Sequence, residues 1–342
     1  QPGTAHMGWL CTYYVYDDLD NLRFVIPPKA IDLLEYNSTW DLAAVPNLTD
    51  ELCFRYEYDQ RNRMIIKKVP GAGEVWMVYD SRDHLVMTQD ANLRTSGKWI
   101  VTSYDDQNRP VITGLLTDAN NRSYHQNLAY NSSSYPSTTS NFELLTQTYY
   151  DNYDWAAAQG LANGLITTHT SNGAYFNTSY NSSPVYAQPV TQYPITRGMV
   201  TGTATKVIGT ANQFLSSVSF YDDRGRQIQT QSINQTGGKD TTTNQYDFTG
   251  KPIRTLIAQQ KAGNNAQSHT VLTKMNCDAG GRLLTIYKNI DNAIADQLIA
   301  TNSYNELGQL QNKRLGNNLD SLVYAYNIRG WLLGDPRTSP PA

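Results

Sequence analysis

Cysteine is scarce in this chain. Only Cys11, Cys53 and Cys277 occur among 342 residues, and an odd number excludes a complete disulfide framework. A Cys11–Cys53 bridge is the one pairing weighed, and buried thiols inside strands are favoured over it. Histidine is also sparse. His6, His84, His125, His169 and His269 include no His-x-x-x-His pair and none at metal-ligand spacing with cysteine. No run approaches the roughly 18 apolar residues of a membrane span, and no signal peptide is visible. Net charge is only -3, so there is no electrostatic reason to expect nucleic acid or an anionic membrane as partner. A Gly-x-Ser-x-Gly elbow is missing. Gly71-Ala72-Gly73 lacks the rest of a dinucleotide fingerprint, and Gly237-Gly238-Lys239-Asp240 lacks the spacing and Ser/Thr of a phosphate loop. This reading assigns no catalytic residue, no metal site, no cofactor and no binding residue, and the expectation is a protein that is not an enzyme.

Tyrosine is abundant: 24 residues against 7 phenylalanines. Such an excess suits a sheet with one wet face, where the ring packs and the hydroxyl stays hydrated. The tyrosines also mark a repeat. Tyr221-Asp222-Asp223-Arg224-Gly225-Arg226-Gln227-Ile228 reads as a strand, a tight turn shaped by an Asp side chain and a left-handed glycine, and a second strand. The pattern recurs with starts at Tyr16, Tyr58, Tyr79, Tyr104, Tyr246, Cys277, Tyr304 and Tyr326. The next residue is always Asx: Asp17, Asp59, Asp80, Asp105, Asp222, Asp247, Asp278, Asn305 and Asn327. Four after each start stands Asp20, Asn62, Asp83, Asn108, Gly225, Gly250, Gly281, Gly308 or Gly330. These are the three residue types that tolerate left-handed backbone most easily. Tyr150-Asp151-Asn152-Tyr153-Asp154 is a candidate tenth copy.

Through these residues the chain resembles the Rhs/YD-repeat family, bacterial relatives of the teneurin ectodomain. The family motif Tyr-Asp-x-x-Gly-Arg-Leu is met nearly in full by Tyr221 to Gln227, and by Cys277 to Leu283 with Cys for Tyr. The resemblance covers roughly residues 11–114 and 216–333. It implies an all-β fold, a long coiled antiparallel sheet of stacked β-hairpins with short helical inserts, wound as part of a shell around a hollow interior. The residues alone leave solenoid, propeller and shell open, although propeller blades of about 40–45 residues exceed the spacing here. The resemblance further implies a segment of a larger secreted or cell-surface bacterial protein. Its partners would be the rest of the parent shell and an encapsulated C-terminal toxin domain. Asp335-Pro336 compares poorly with the family's aspartate-dependent self-cleavage region, because Arg337-Thr338-Ser339 replaces the glycine-rich sequence, and no cleavage is expected. The His6-Met7 pair and the abrupt C-terminus read as those of an excised internal piece, expected to form an open arc.

Three segments follow: a first block of hairpins over 11–114, interrupted at 29–53; an Asn/Ser/Thr-rich insertion over 115–215 within the same sheet; and a second block over 216–333. Helical character is expected near residues 30–35, 47–52 and 155. Strands are expected at 142–150 and 203–208, and a loop or a helical turn at 289–296. Trp40 is expected to pack the first interruption on the sheet. Two carboxylates on facing strands are the arrangement of a glycosidase, but the corner aspartates already have a role in turns. Aromatic rows with Trp76, Trp99, Trp155 and Trp331 could stack on sugars, so a carbohydrate-binding or adhesion module is the alternative. Cross-strand packing of the rings is favoured over it.

Overall fold

The computed structural model describes residues 9–334 except Ser171, Pro184 and Asn318. Asp335-Pro336 and His6-Met7 lie outside the described residues. The chain divides into two compact units, Gln1–Gln147 and Thr148–Ala342. The all-β antiparallel expectation holds for both, with few and short helices.

The first unit contains β1 (Tyr13–Tyr16), β2 (Leu22–Ile26), β3 (Phe54–Tyr58), β4 (Met64–Lys68), β5 (Val75–Tyr79), β6 (Leu85–Gln89), β7 (Lys98–Tyr104) and β8 (Pro110–Thr117). Each strand pairs antiparallel with the next. The interruption at 29–53 forms α1 (Pro28–Tyr36) and α2 (Leu48–Glu51). Pro28 at the first helical position loses no hydrogen bond, and Ala30, Ile31 and Leu34 bury one face against Ile26, Val45, Leu48 and Cys53. Asn47 does not cap α2 with its side chain; its own backbone is left-handed at φ 59°. Trp40 meets Tyr13 edge-on at 5.8 Å. All three cysteines are free. α3 (Ala91–Thr95) links β6 to β7, and after β8 come α4 (Arg122–Ala129) and the start of β9 (Phe142–Asp151). Asp90 and Asn121 cap α3 and α4, each accepting a backbone N–H with its side chain.

A second core in this unit gathers Val78, Val86, Met87, Trp99, Val101, Leu116 and Ala129. Gln126 on α4 fixes the helix to β5 as a peptide would. Its carbonyl accepts from the Tyr79 N–H at 3.1 Å and its amide donates to the Tyr79 carbonyl at 2.9 Å.

The second unit holds the rest of β9 and then β10 (Thr196–Lys206), β11 (Phe214–Tyr221), β12 (Gln227–Ile233), β13 (Lys239–Tyr246), β14 (Pro252–Lys261), β15 (Gln267–Cys277), β16 (Leu283–Ile290), β17 (Gln297–Tyr304), β18 (Leu310–Leu315) and β19 (Asp320–Val323). Successive strands from β10 onward pair antiparallel. Asp291 and Asn292 have left-handed backbone, and 291–296 is a loop rather than a helical turn.

The described residues of 152–195 carry a 3₁₀ turn (Ala157–Gln159) and the one-turn α5 (Thr167–Thr170) but no named strand. They lie against one face of the sheet. Ala156, Leu161, Phe176 and Val190 meet Val218, Phe220, Ile228, Leu256 and Leu272. A segment without its own ladder must still satisfy its backbone groups, and glutamines of the sheet do this. Gln229 accepts from the Ile166 N–H at 2.9 Å, Gln231 donates to the Gly164 carbonyl at 3.0 Å, and Gln245 both accepts from the Asn177 N–H at 2.9 Å and donates to the Asn177 carbonyl at 2.7 Å. The glutamine amide offers the same donor and acceptor as a peptide group, so it can hold irregular backbone without selecting a sequence. The Trp155 ring lies directly on the backbone of Gly202, where any Cβ would collide with it, and stacks on Tyr149 at 4.0 Å.

Candidate functional site

The most regular feature of the chain is the row of corners. At all nine, the Asx N–H donates to the carbonyl four residues on, and the N–H three residues on donates back to the Asx carbonyl. Asp222, for example, donates to Arg226 at 3.0 Å and accepts from Gly225 at 3.1 Å. The residue in that second position is left-handed each time, from Asn62 at φ 57° to Gly250 at φ 93°. The start residue pairs with the residue six later across a register shift, as Tyr221 with Gln227. This is a type I turn closed by a G1 bulge.

The Asx side chain builds the same corner. Oδ1 of Asp222 accepts the N–H groups of Arg224 at 3.0 Å and Arg226 at 2.8 Å. Asp17, Asp59, Asp80 and Asp105 repeat both bonds, as do Asn305 and Asn327. Oδ1 of Asp247 and of Asp278 accepts the N–H of Lys251 and of Arg282, each at 2.8 Å. The second carboxylate oxygen takes the side chain five after the start: Arg63 at 2.8 Å, Arg109 at 2.7 Å, and Arg226 and Arg282 at 2.6 Å.

Three of those arginines reach the next corner. Arg63, Arg226 and Arg282 lie over the rings of Tyr79, Tyr246 and Tyr304 at 4.8, 4.8 and 5.0 Å, and His84 stacks on Tyr104 at 4.4 Å. The tyrosine hydroxyls point backwards along the row. Tyr79, Tyr104, Tyr246, Tyr304 and Tyr326 donate to the carbonyls of Met64, Leu85, Gln227, Leu283 and Leu310. Every acceptor is the sixth residue after the start of the preceding repeat. Tyr221, which opens the second block, donates to Val200 at 2.6 Å. At these positions the hydroxyl, besides any hydration, is tied to a backbone carbonyl, a role that composition does not reveal. Burial pushes the phenols of Tyr79, Tyr104, Tyr221 and Tyr246 above their ordinary pKa. Tyr246→Phe, which removes only the oxygen, is expected to lower stability by about 1 kcal/mol, read as a shifted urea midpoint.

Tyr150-Asp151 is not a tenth corner. Asp151 itself is left-handed at φ 69°, and its carboxylate accepts from the Gly198 N–H in β10. A corner that the tyrosine pattern misses is Asn234. Its N–H donates to Gly238 and its carbonyl accepts from Gly237, and its Oδ1 accepts from Thr236 and Gly238. Ile233 stands where the repeat has Tyr, so Asx plus left-handed Gly was the only available signal. Gly237 and Gly238 belong to this turn and not to a phosphate loop.

Electrostatics fit carboxylates held ionised for structure. At Asp278 the Arg282 backbone N–H and then its guanidinium hold the carboxyl below the usual value; at Asp17 the Asn21 N–H leads. At Asp59 and Asp105 burial opposes ionisation, and the bonds from Arg63 and Arg109 outweigh it. The folded chain then binds these protons less readily than the unfolded chain. Stability from these groups is complete above a pH of about 4 and is lost as pH falls through the lowered folded values. Urea midpoints measured from pH 6 downward are expected to stay level until about pH 4 and then fall.

Among the described residues no three His, Cys, Asp or Glu side chains gather as a metal site. His84 is spent on Asp80 at 3.1 Å and on the Tyr104 stack. His125 is fully buried against Trp99, accepting or donating to the Tyr135 hydroxyl at 2.7 Å. His269 contacts Asp291 at 2.8 Å on the surface. Trp76 packs near Trp99 and under Arg94, and Trp331 is exposed with Arg329 over it. No helix of the described residues is long and apolar enough to cross a membrane.

No protein-family model matches the chain, and no curated protein matches it. It is similar to solved structures of toxin complexes. One is the TcdB2–TccC3 complex, at 12% identity and TM-score 0.34, covering 92% of this chain and 15% of that one. Another is the Photorhabdus luminescens Tc holotoxin pore with a TccC3 mutation, at 13% identity and TM-score 0.36, covering 94% and 15%. A third is TcdB2–TccC3–Cdc42, at 12% and 0.33, covering 94% and 15%. The chain spans about 15% of the length of these structures.

Proposed function

We propose that this chain is a structural segment of the casing of a larger secreted or cell-surface protein, one that encloses a C-terminal toxin domain, and that it is not an enzyme. The observation that carries this reading is the use of the corner carboxylates. All nine Asx side chains accept the backbone N–H that closes their own turn, which leaves them to shape a ribbon rather than to transfer protons. Tyrosine hydroxyls at five corners and arginines at three tie one hairpin to the next, as a wall built by repetition requires. The sequence resemblance to Rhs/YD repeats supplies the casing and its cargo.

The carbohydrate-binding alternative loses part of its platform. Ring faces of Tyr79, Tyr246 and Tyr304 are covered by arginines, and that of Tyr104 by His84. The test is limited proteolysis of the parent protein that contains this chain. The C-terminal domain is expected to resist protease in the intact protein and to be cut once mild denaturant opens the repeats. Immediate digestion in the native protein contradicts the casing, and turnover of a glycoside by the purified chain contradicts the non-catalytic reading.

A further inference from the structure

One of the nine corners begins without a tyrosine. At Cys277 a thiol replaces the tyrosine ring, and Lys251 replaces the arginine that would cover it. A cleft of about 880 Å³ opens at this place, lined by Tyr186, Phe248, Lys251, Ile253, Met275 and Cys277 among others. That volume lies within the roughly 300–1,000 Å³ of small-molecule sites. Its walls come from two sources. The corners at Asp247 and Asp278 form one side, and the segment around Tyr186, which accepts the Phe248 N–H at 3.0 Å, forms the other. Phe248 and Tyr186 are both exposed large side chains, so two aromatic faces border the opening.

The sister corners define what this space is shaped to hold. In five of them a phenol ring occupies the corresponding position and its hydroxyl donates to the carbonyl six residues after the previous start. Counting six from Tyr246 gives Pro252, whose neighbours Lys251 and Ile253 both line the cleft. The cationic cover is kept as well, since Lys251 lies against Gly281 of the Cys277 corner. A cation over the ring and a carbonyl at the end of its hydroxyl are the two elements that hold the rings of Tyr79, Tyr246 and Tyr304.

We propose that the cleft beside Cys277 binds a phenolic ring, with the phenol hydroxyl donating to the Pro252 carbonyl and the ring under the Lys251 ammonium. The ring is either a free small phenol or the side chain of a tyrosine presented by another polypeptide.

The test is a titration of the whole chain followed by methyl resonances of Met275 and Ile253, with p-cresol, toluene and N-acetyl-tyrosinamide as probes. Saturable shifts with p-cresol, at a Kd on the order of 1 mM or tighter, are expected, with toluene weaker by about tenfold because it lacks the donor. Comparable binding of N-acetyl-tyrosinamide assigns the site to a peptide tyrosine, and its failure beside a p-cresol signal assigns it to a free phenol; both support the proposal. Cys277→Tyr is expected to raise the melting temperature and abolish the p-cresol shifts by filling the slot from within. Should that variant not fold, Phe248→Ala is expected to weaken p-cresol by about tenfold through loss of one aromatic wall. Absence of saturable shifts at about 10 mM p-cresol, equal affinity for toluene, or p-cresol binding unchanged in Cys277→Tyr would overturn it.

Discussion

Trp99→Ala is expected to cost the first unit about 3–5 kcal/mol, the usual loss when a buried tryptophan is deleted and the space is only partly refilled. Trp99 has no exposed surface. It sits where β7 meets α4, in contact with Trp76 at 6.3 Å and edge-on to His125 at 4.8 Å, within the cluster of Val78, Val86, Met87 and Val101. Domain stabilities are about 5–15 kcal/mol, so the loss removes a large share. Calorimetry is expected to show a transition moved strongly downward, with β10–β19 behaving independently to the extent that the two units melt separately. Trp99→Phe keeps much of the packing, and its indole N–H has no hydrogen-bond partner to lose, so it is expected to cost clearly less.

Asp222→Ala is expected to cost about 2–4 kcal/mol. Asp222 is 5% exposed, so water cannot replace its carboxylate readily. Truncation leaves the N–H groups of Arg224 and Arg226 without their acceptor and strands the Arg226 guanidinium, bonded to it at 2.6 Å. The damage does not stop at the turn. Arg226 also covers Tyr246 and donates to the Asp247 carbonyl at 3.1 Å, so its release loosens the next corner. Urea denaturation of the variant, with the tyrosine signal as a local probe, measures both the loss and its spread.

The corners were readable because turn chemistry is local. Asp222 and Gly225 stand three residues apart, and each declares its conformation through its own residue type. The pairing of Tyr246 with Gln227 was not readable, because the acceptor is a carbonyl that every residue possesses and only the register of β12 against β13 selects it. The glutamine contacts were hidden for the same reason: Gln229, Gln231 and Gln245 look like ordinary polar strand residues until backbone of 164–177 lies over them. Tyr150-Asp151 shows the opposite failure, in which the right letters occur but the chain leaves toward β10 instead of turning back. At Cys277 the departure from the pattern is visible in the sequence, but the cleft is not, because it depends on Tyr186 and Phe248, which approach from separate parts of the chain. Asn234 was passed over because its corner has no tyrosine.

The corner Asx side chains act as acceptors for the backbone N–H groups of their own turns. Asn305 and Asn327 already do this work without a charge. The most direct measurement compares urea midpoints of Asp222→Asn and Asp222→Ala with the parent chain. The prediction is a loss of about 1 kcal/mol for Asn, which keeps the Oδ1 acceptor and forfeits the ion pair, against at least about twice that for Ala. Equal losses in the two variants, or no loss in either, would contradict it.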